Sequence, residues 1–287
     1  MRPSQSHYLA IRGLRYHVRA WGDPAAPKLF MLHGWMDVSA SFQFLVDALE
    51  RDWHVLAPDW RGYGLTEWPQ DGYWFQDYVA DLDALLAALA PDAPVHLVGH
   101  SLGGNVASIY AGVRPQRVKS LVSLEGFGIP SGVTADAPGK LRKWLDAVAD
   151  PPGWRPYASL AEAADRLQKT NPHLRRDRAE FLAGHWAALQ PDGSARLQAD
   201  PKHKLPFPTV SHGEEWLHIW REVTAPALWV LASGSHIKAW ATANDEDWHR
   251  RMGAFRDLRL ETIEDASHMV HHDQPEQVAA LIEAFIP

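Results

Sequence analysis

The chain contains no cysteine, and this absence excludes several kinds of site. Without thiols there is no disulfide framework, no thiolate metal site and no cysteine nucleophile. Any nucleophilic side-chain chemistry is therefore expected from serine.

Positive charge and long apolar runs are also scarce. Lys and Arg total 28 against 35 Asp and Glu, and the net charge of −7 suits a phosphate backbone poorly, so we expect no nucleic-acid partner. Residues 1–22 lack the apolar run of roughly 7 to 15 residues that a signal peptide needs, and no stretch approaches the roughly 18 apolar residues of a membrane span. We therefore expect a soluble cytoplasmic protein with no membrane partner.

The remaining composition is that of an ordinary globular domain. Of the 287 residues, 46% are hydrophobic and 22% are charged, which is enough apolar material for a sizeable core. The length suits a single α/β domain that carries one insertion.

Compact β-rich runs alternate with helix-length amphipathic stretches along most of the chain. The predicted strands are HYLAI, LRYHVRAW, KLFMLHG, HVLAPDW, VHLVGH, VKSLVSLEG, ALWVLAS and LRLETIED. The predicted helices include SASFQFLVDALE, YVADLDALLAALA, GNVASIYAGV and EQVAALIEAFI. After an antiparallel hairpin at the start, this alternation predicts a parallel sheet.

The alternation stops after Gly126. From there to about Glu222 the chain shows helical patterns such as LRKWLDAVAD, SLAEAADRLQKT and RRDRAEFLAGHWAALQ, with no convincing strand. We therefore predict an α/β core over 1–126 and 223–287, with a helical cap inserted at 127–222, called the cap segment below.

The pentapeptide GHSLG at 99–103 directly follows a predicted strand and precedes a helix. In this context G-x-S-x-G forms a sharp turn that points the serine out of the sheet, with the N–H groups of the helix N-terminus behind it. Ser101 is therefore the candidate nucleophile. The alternative is a strand-to-helix turn in which Ser101 only caps the helix.

GHSLGG, the earlier HGW, DWRGYG and the C-terminal DASHMVHHDQPEQVAALIEAFI together resemble the α/β-hydrolase fold family. The resemblance spans the chain outside the cap segment. It implies a mostly parallel eight-stranded sheet flanked by helices, with the helical cap inserted after the sixth strand. It also implies that the backbone N–H groups of Trp35 and Leu102 form an oxyanion hole, in which each donor contributes on the order of 3 kcal/mol.

A serine hydroxyl needs a general base, and histidine is the side chain that suits this proton transfer. Among 16 histidines, His268 in EDASHMV lies after the last predicted strand, where the family keeps its catalytic histidine. His271 and His272 stand beside it and suggest a metal, but no H-E-x-x-H pattern accompanies them. We therefore predict His268 as the base, with no metal and no cofactor.

The third triad member should be a carboxylate that orients the histidine. Most relatives place an Asp after the strand that follows the cap, yet no acid occurs from Ala227 through Trp240. In another arrangement known in the family, the acid follows the strand after the nucleophile helix, where Glu125 stands. We predict Glu125 as this acid, with Asp245 and Asp247 as competitors.

The cap segment is rich in aromatic side chains, which favour an apolar or aromatic small-molecule substrate beneath a lid. Alternatively, most of these rings join the cap helices to the core. They are Phe127, Trp144, Trp154, Tyr157, Phe181, Trp186, Phe207, Trp216 and Trp220. Two stretches of the segment, RLQKTNPHL and DPKHKLPFP, are similar to the serine hydrolase-like proteins.

The leading prediction is a serine hydrolase that cleaves a carboxylic ester through an acyl-enzyme on Ser101. A serine at the turn disfavours dehalogenases and epoxide hydrolases, which use Asp there, and Asp59 in DWRGYG is predicted to be structural. Two rivals stay open. One is a lactone or C–C bond hydrolase with the same triad, and the other is a ligand-binding protein with a vestigial triad, which the missing Asp favours.

Overall fold

One eight-stranded sheet dominates the computed structural model, which describes residues Met1–Pro287. The chain has ten strands: β1 (Ser4–Ile11), β2 (Leu14–Trp21), β3 (Lys28–Leu32), β4 (His54–Pro58), β5 (Val95–His100), β6 (Val118–Leu124), β7 (Ala187–Leu189), β8 (Ala195–Leu197), β9 (Ala227–Ala232) and β10 (Leu258–Ile263). The large sheet has the order β1-β2-β4-β3-β5-β6-β9-β10. Only β2 runs antiparallel to its neighbours, so the predicted mostly parallel sheet with an N-terminal hairpin is confirmed.

Helices cover both faces of this sheet. They are α1 (Gln43–Ala48), α2 (Phe75–Leu89), α3 (Leu102–Val113), α4 (Ala137–Ala149), α5 (Leu160–Thr170), α6 (Arg176–Trp186), α7 (Gly213–Arg221), α8 (Ile237–Ala241), α9 (Asp245–Met252), α10 (Val270–Asp273) and α11 (Pro275–Phe285). Successive strand residues point to opposite faces, so Leu97 joins the core beneath α2, α3 and α7, while Val98 joins the core beneath α1 and α11. Strands that are buried on both faces explain the continuous apolar runs of the sequence.

The strand order reverses direction between β3 and β5. From β3 the chain moves outward to β4, then returns to place β5 on the other side of β3. In open α/β sheets, ligand sites lie outside the carboxyl ends of the strands at such a reversal. Ser101 directly follows β5, so the topology places it at this crevice.

The cap segment differs from its predicted pattern in one place. AAL (β7) and ARL (β8) pair as a short antiparallel hairpin in a region where no strand is expected. Three-residue strands are too short to show a period of two, which is why the sequence does not reveal them. Helix α7 also packs on α3 of the core: Trp220 Nε1–H donates to the Ser108 hydroxyl over 3.1 Å.

A small apolar core holds the middle part of the cap segment together, from α5 to β8. Side chains of α5, α6, β7 and β8 surround Ala163, Leu182 and Ala195, and this cluster rests on Phe44 of the α/β core. No helix of the chain has both the length and the hydropathy required to cross a membrane.

Candidate active site

Ser101 lies at a sharp turn between β5 and α3. Its backbone has φ 50° and ψ −111°, and a non-glycine residue in so unusual a conformation costs about 1 to 3 kcal/mol. The two flanking glycines allow close packing around the turn. A β-carbon at Gly99 would collide with the Gly103 carbonyl group, and one at Gly103 would collide with the Leu32 carbonyl oxygen.

Three side chains from three different strand ends meet at this turn. The Ser101 hydroxyl donates to His268 Nε2 over 3.1 Å, and His268 Nδ1–H donates to Glu125 Oε2 over 3.3 Å. The His268 side chain is 28% exposed, whereas the Glu125 side chain is fully buried. The structure thus brings together the predicted nucleophile, base and acid in one series of hydrogen bonds, Ser101–His268–Glu125.

Glu125 is held by the end of β9 as well as by its contact with the imidazole. It follows β6 with φ 58°, and its Oε1 accepts the Ala232 N–H over 2.7 Å. Its Oε2 also accepts the hydroxyl of Ser235, which lies in the loop after β9. This is the loop where the commonest family pattern has its acid, so here it supplies hydrogen-bond donors to Glu125 instead of a carboxylate.

The two competing acids lie elsewhere. Asp245 accepts from Lys238 Nζ over 3.0 Å and has an exposed side chain, and Asp247 accepts from Arg251 Nε over 3.1 Å. Neither forms a hydrogen bond or ion pair with His268.

The loop after β3 approaches the nucleophile closely. A β-carbon at Gly34 would lie only 3.3 Å from Cβ of Ser101, so the Gly34–Trp35 peptide, which carries the Trp35 N–H, runs beside it. Leu102, whose N–H is the other predicted oxyanion donor, begins α3. Trp186 Nε1–H of the cap segment donates to the Met36 carbonyl oxygen over 2.7 Å and holds this loop from above.

His100 connects the nucleophile turn to the backbone of the base. Its Nε2–H donates to the His268 carbonyl oxygen over 2.7 Å, while its Nδ1 is buried and has no hydrogen-bond partner. Burial, followed by the nearby His268, holds the pKa of His100 well below its ordinary value. Burial therefore favours the neutral form of His100.

The other two histidines of the C-terminal cluster do not point at Ser101. The Ser41 oxygen accepts His271 Nε2–H over 2.9 Å and His272 Nε2–H over 2.6 Å, and the Ser41 hydroxyl donates to Asp37 Oδ2 over 2.6 Å. Ligand atoms of Asp37, His100 and His271 do lie within 4.8 Å of one another, a spacing that could accommodate a metal ion. The Ser41 hydroxyl bridges Asp37 and His271, whereas His100 Nδ1 has no hydrogen-bond partner. The absence of a metal stays a prediction.

Asp59 links strand β2 to the chain segments that follow β3 and β4. Its carboxylate accepts His17 Nδ1–H over 2.7 Å, the Ser39 N–H over 2.6 Å and the Leu65 N–H over 3.0 Å. Burial acts to raise its pKa, but the hydrogen bond and the charge of His17 outweigh burial and lower the pKa of Asp59 to about 2.

Two fully buried histidines, His33 and His272, should make folding stability depend on pH. Burial lowers the pKa of each to about 4, below the ordinary value of 6.5. Between pH 6.5 and 4 the unfolded chain therefore binds protons at these sites that the folded chain does not bind. Their contribution to stability is complete above pH 6.5 and is lost as the pH falls toward 4, with a slope of about 1.4 kcal/mol per pH unit for each group.

Asp37 opposes this trend, because burial raises its pKa to about 7 and favours the protonated form in the folded chain. The histidines outnumber it, so we expect the urea midpoint of the wild type to fall between pH 6.5 and 4.5. In His33→Gln the fall should be shallower, and the exposed His7→Gln should behave as the wild type. Equal slopes in His33→Gln and the wild type would contradict this reading of His33.

A cavity of about 300 Å³ lies at the junction of the core and the cap segment. Its lining includes Arg19, Asp59 and His185, but it does not include any residue of the Ser101–His268–Glu125 series. The cavity is therefore separate from the reactive hydroxyl, and we assign no substrate to it.

The aromatic residues of the cap segment differ in their surroundings. Phe127 and Trp220 are buried against Trp229 of the core, and Trp216 is buried against Phe75, as the alternative interpretation expects. Trp186 anchors the Met36 loop, and Phe207 is 57% exposed.

Several residues around Ser101, His268 and Glu125 could not be predicted from the sequence. Ser235 and Asn171 have no motif of their own, since their partners lie 110 and 102 positions away. His100 stands inside the GHSLG pentapeptide, which is the one signal that could have marked it.

Comparisons with known proteins agree with this fold. Residues 27–275 match the family profile described as alpha/beta hydrolase fold. The serine hydrolase-like protein of Danio rerio is 31% identical over 278 residues, which cover 93% of this chain and 84% of that protein. Lipase LipV of Mycobacterium tuberculosis is 28% identical over 288 residues, which cover 93% of this chain and 96% of that protein. The solved thioesterase domain from the curacin biosynthetic pathway superposes with a TM-score of 0.88 at 23% identity, covering 98% of this chain and 99% of that domain.

The family match covers most of the chain, and the zebrafish relative aligns with 93% of it. The sheet topology and the turn at Ser101 are those expected from the sequence motifs. The chain therefore belongs to the α/β-hydrolase fold family, and it is a hydrolase of that superfamily similar to the serine hydrolase-like proteins.

Proposed function

We propose that this chain is a serine hydrolase that cleaves a carboxylic ester, or an ester-like bond, of a small and largely apolar substrate. The observation that carries the proposal is the hydrogen-bonded chain from the Ser101 hydroxyl through His268 to the buried Glu125. A hydroxyl activated by an imidazole, which is in turn oriented by a carboxylate, is the arrangement required for nucleophilic acyl transfer.

The first half of the reaction makes an acyl-enzyme. Ser101 Oγ bonds to the ester carbonyl carbon while its proton passes to His268 Nε2, and the carbonyl oxygen becomes an oxyanion. The N–H groups of Trp35 and Leu102 donate to that oxyanion. As the tetrahedral intermediate collapses, His268 returns the proton to the leaving alcohol oxygen, and the acyl group stays on Ser101.

The second half repeats these steps with water. His268 takes a proton from a water molecule whose oxygen bonds to the acyl carbon, and then gives that proton to Ser101 Oγ as the carboxylic acid leaves. Glu125 accepts the hydrogen bond of His268 Nδ1–H, which fixes the ring tautomer, and its carboxyl group stabilises the imidazolium. The hydrogen bonds from the Ala232 N–H and the Ser235 hydroxyl support this role because they fix the Glu125 side chain beside the imidazole.

The lactone and C–C bond alternatives use the same three residues, so a substrate panel separates them from ester cleavage. The ligand-binding alternative depends on the missing Asp after β9. The contact of Glu125 with His268 supports a working triad instead, because an acid from the neighbouring strand end reaches the imidazole.

Two further assignments belong to this proposal. The cap segment at 127–222 acts as the lid that selects the substrate, while 1–126 and 223–287 form the catalytic core. The protein works in the cytoplasm on a small molecule.

Labelling with a fluorophosphonate tests the proposal directly. We expect one covalent adduct per chain, located on the peptide that contains Ser101, because Oγ displaces fluoride from phosphorus by the same activation that attacks an ester. Intact mass and peptide mapping measure this result, and p-nitrophenyl esters of increasing chain length, with a lactone beside them, define the acyl preference.

A folded protein that gains no adduct and turns over no ester would overturn the proposal in favour of ligand binding. An adduct on a different serine would overturn the assignment of Ser101. Adduct formation together with lactone turnover but no ester turnover would select the lactone alternative.

A further inference from the structure

The loop that carries His268 is tied back on itself by one carboxylate. Asp273, at the end of α10, accepts the Ser267 N–H over 2.8 Å and the Ser267 hydroxyl over 2.9 Å, both on Oδ2. Because Ser267 directly precedes His268, this bond closes the loop around the base. The position of the imidazole therefore depends on Asp273.

The second oxygen of the same carboxylate is bound by the cap segment. Asn171, which follows α5 and is 3% exposed, donates from Nδ2 to Asp273 Oδ1 over 2.7 Å. Its own Oδ1 accepts the His173 N–H over 3.2 Å, which fixes the amide orientation. Asp273 thus receives one bond from the cap segment and two from the residue next to His268.

Other contacts also hold the backbone of the loop that carries His268. On the core side, His100 Nε2–H holds the His268 carbonyl oxygen over 2.7 Å. On the side of the cap segment, the guanidinium Nη1–H of Arg178 in α6 donates to the His272 carbonyl oxygen over 2.7 Å. The ring itself has longer contacts, 3.1 Å to Ser101 and 3.3 Å to Glu125. Since these contacts alone hold the ring loosely, its placement relies on the loop.

We propose that Asn171 is a positioning residue of the cap segment that sets the catalytic geometry of His268 through Asp273 and Ser267. This inference rests on the proposed function. The cap segment then has two tasks, because it covers the substrate and also completes the placement of the base. Misplacing a reacting group by about 1 Å can lower a rate about 100-fold, so a buried link of this kind affects turnover without touching the substrate.

A charge-swap experiment tests this link. Asn171→Asp places two carboxylates against each other, and Asp273→Asn replaces one of the two acceptor oxygens by an NH₂ group. Each should lower kcat at least tenfold with KM within about threefold of wild type. In the double variant Asn171→Asp with Asp273→Asn, the donor and acceptor exchange places, and the new amide at position 273 keeps an oxygen for Ser267. We expect kcat of the double variant to return to within about threefold of wild type.

The control is Lys169→Gln, an exposed change nearby in the cap segment that alters the net charge by the same amount as Asn171→Asp. Its kcat should equal that of the wild type. Rates are taken per active site, titrated with the fluorophosphonate, so that unfolded protein does not count as slow protein. If the single variants fold poorly, Asn171→Ser replaces them, and its labelling rate should also fall with a retained melting temperature.

The outcomes separate the two ideas. A wild type that neither labels nor turns over would remove the proposed function itself. A reactive wild type with unchanged kcat in Asn171→Asp, or a double variant as slow as the slower single variant, would overturn the positioning role of Asn171 alone.

Discussion

Replacing Ser101 by alanine should abolish ester turnover, with a loss of about 10⁶-fold in kcat. The loss is so large because the remaining groups have no nucleophile to activate, and only substrate binding and oxyanion stabilisation persist. The fold should be retained, since the substitution keeps the β-carbon and removes a single hydrogen bond, that of the hydroxyl to His268 over 3.1 Å. Steady-state kinetics on p-nitrophenyl butyrate and circular dichroism measure the two expectations.

The matched control is Ser194→Ala in the β7–β8 turn. This change removes a hydroxyl group whose hydrogen bond goes to the nearby Asp192. Its kcat should equal that of the wild type. Turnover in Ser101→Ala above a tenth of the wild-type rate would mean that another residue carries the chemistry.

Replacing Glu125 by glutamine should lower kcat by about 10⁴-fold while leaving the shape of the site nearly intact. A glutamine amide can present its NH₂ group to His268 Nδ1, which stabilises the wrong ring tautomer and withdraws the lone pair of Nε2 from Ser101. It also cannot stabilise the imidazolium as a carboxylate does. Fluorophosphonate labelling rates and kcat should fall together, because both require the activated hydroxyl.

Asp247→Asn serves as the comparison, because Asp247 is a competing acid of the sequence prediction. Its contact with Arg251 places it away from His268, so kcat should change less than twofold. A large loss in Asp247→Asn with little change in Glu125→Gln would reverse the assignment of the acid.

The roles of His100 and Asn171 extend this view of the site beyond three residues. One side chain from the core and one from the cap segment hold opposite sides of the loop that carries His268. Trp186 holds the loop after β3 in a similar manner through the Met36 carbonyl oxygen. The cap segment therefore contacts both the loop that carries His268 and the loop after β3, although it contributes none of the residues Ser101, His268 and Glu125.

Local features of the fold were predictable from the sequence. The strands are compact apolar runs, and the apolar residues of α1, α2 and α11 recur with a helical period, so their positions follow from short-range patterns. The turn at Ser101 is equally local, because glycines two positions on either side permit the backbone conformation and the close packing. The β7–β8 hairpin escaped prediction because AAL and ARL are too short to show any period.

By itself the sequence determined the order of strands and helices, the turn that presents Ser101 and the place of His268 after the last strand. These properties depend on neighbouring residues, whose sterics and hydrogen bonding act over a few positions. Only the tertiary structure decided which acid reaches His268, how Ser235 bonds to that acid, and how Asn171 of the cap segment bonds to the loop of the base. Those contacts join residues more than 100 positions apart, so they depend on strand order, sheet register and the packing of the cap segment on the core.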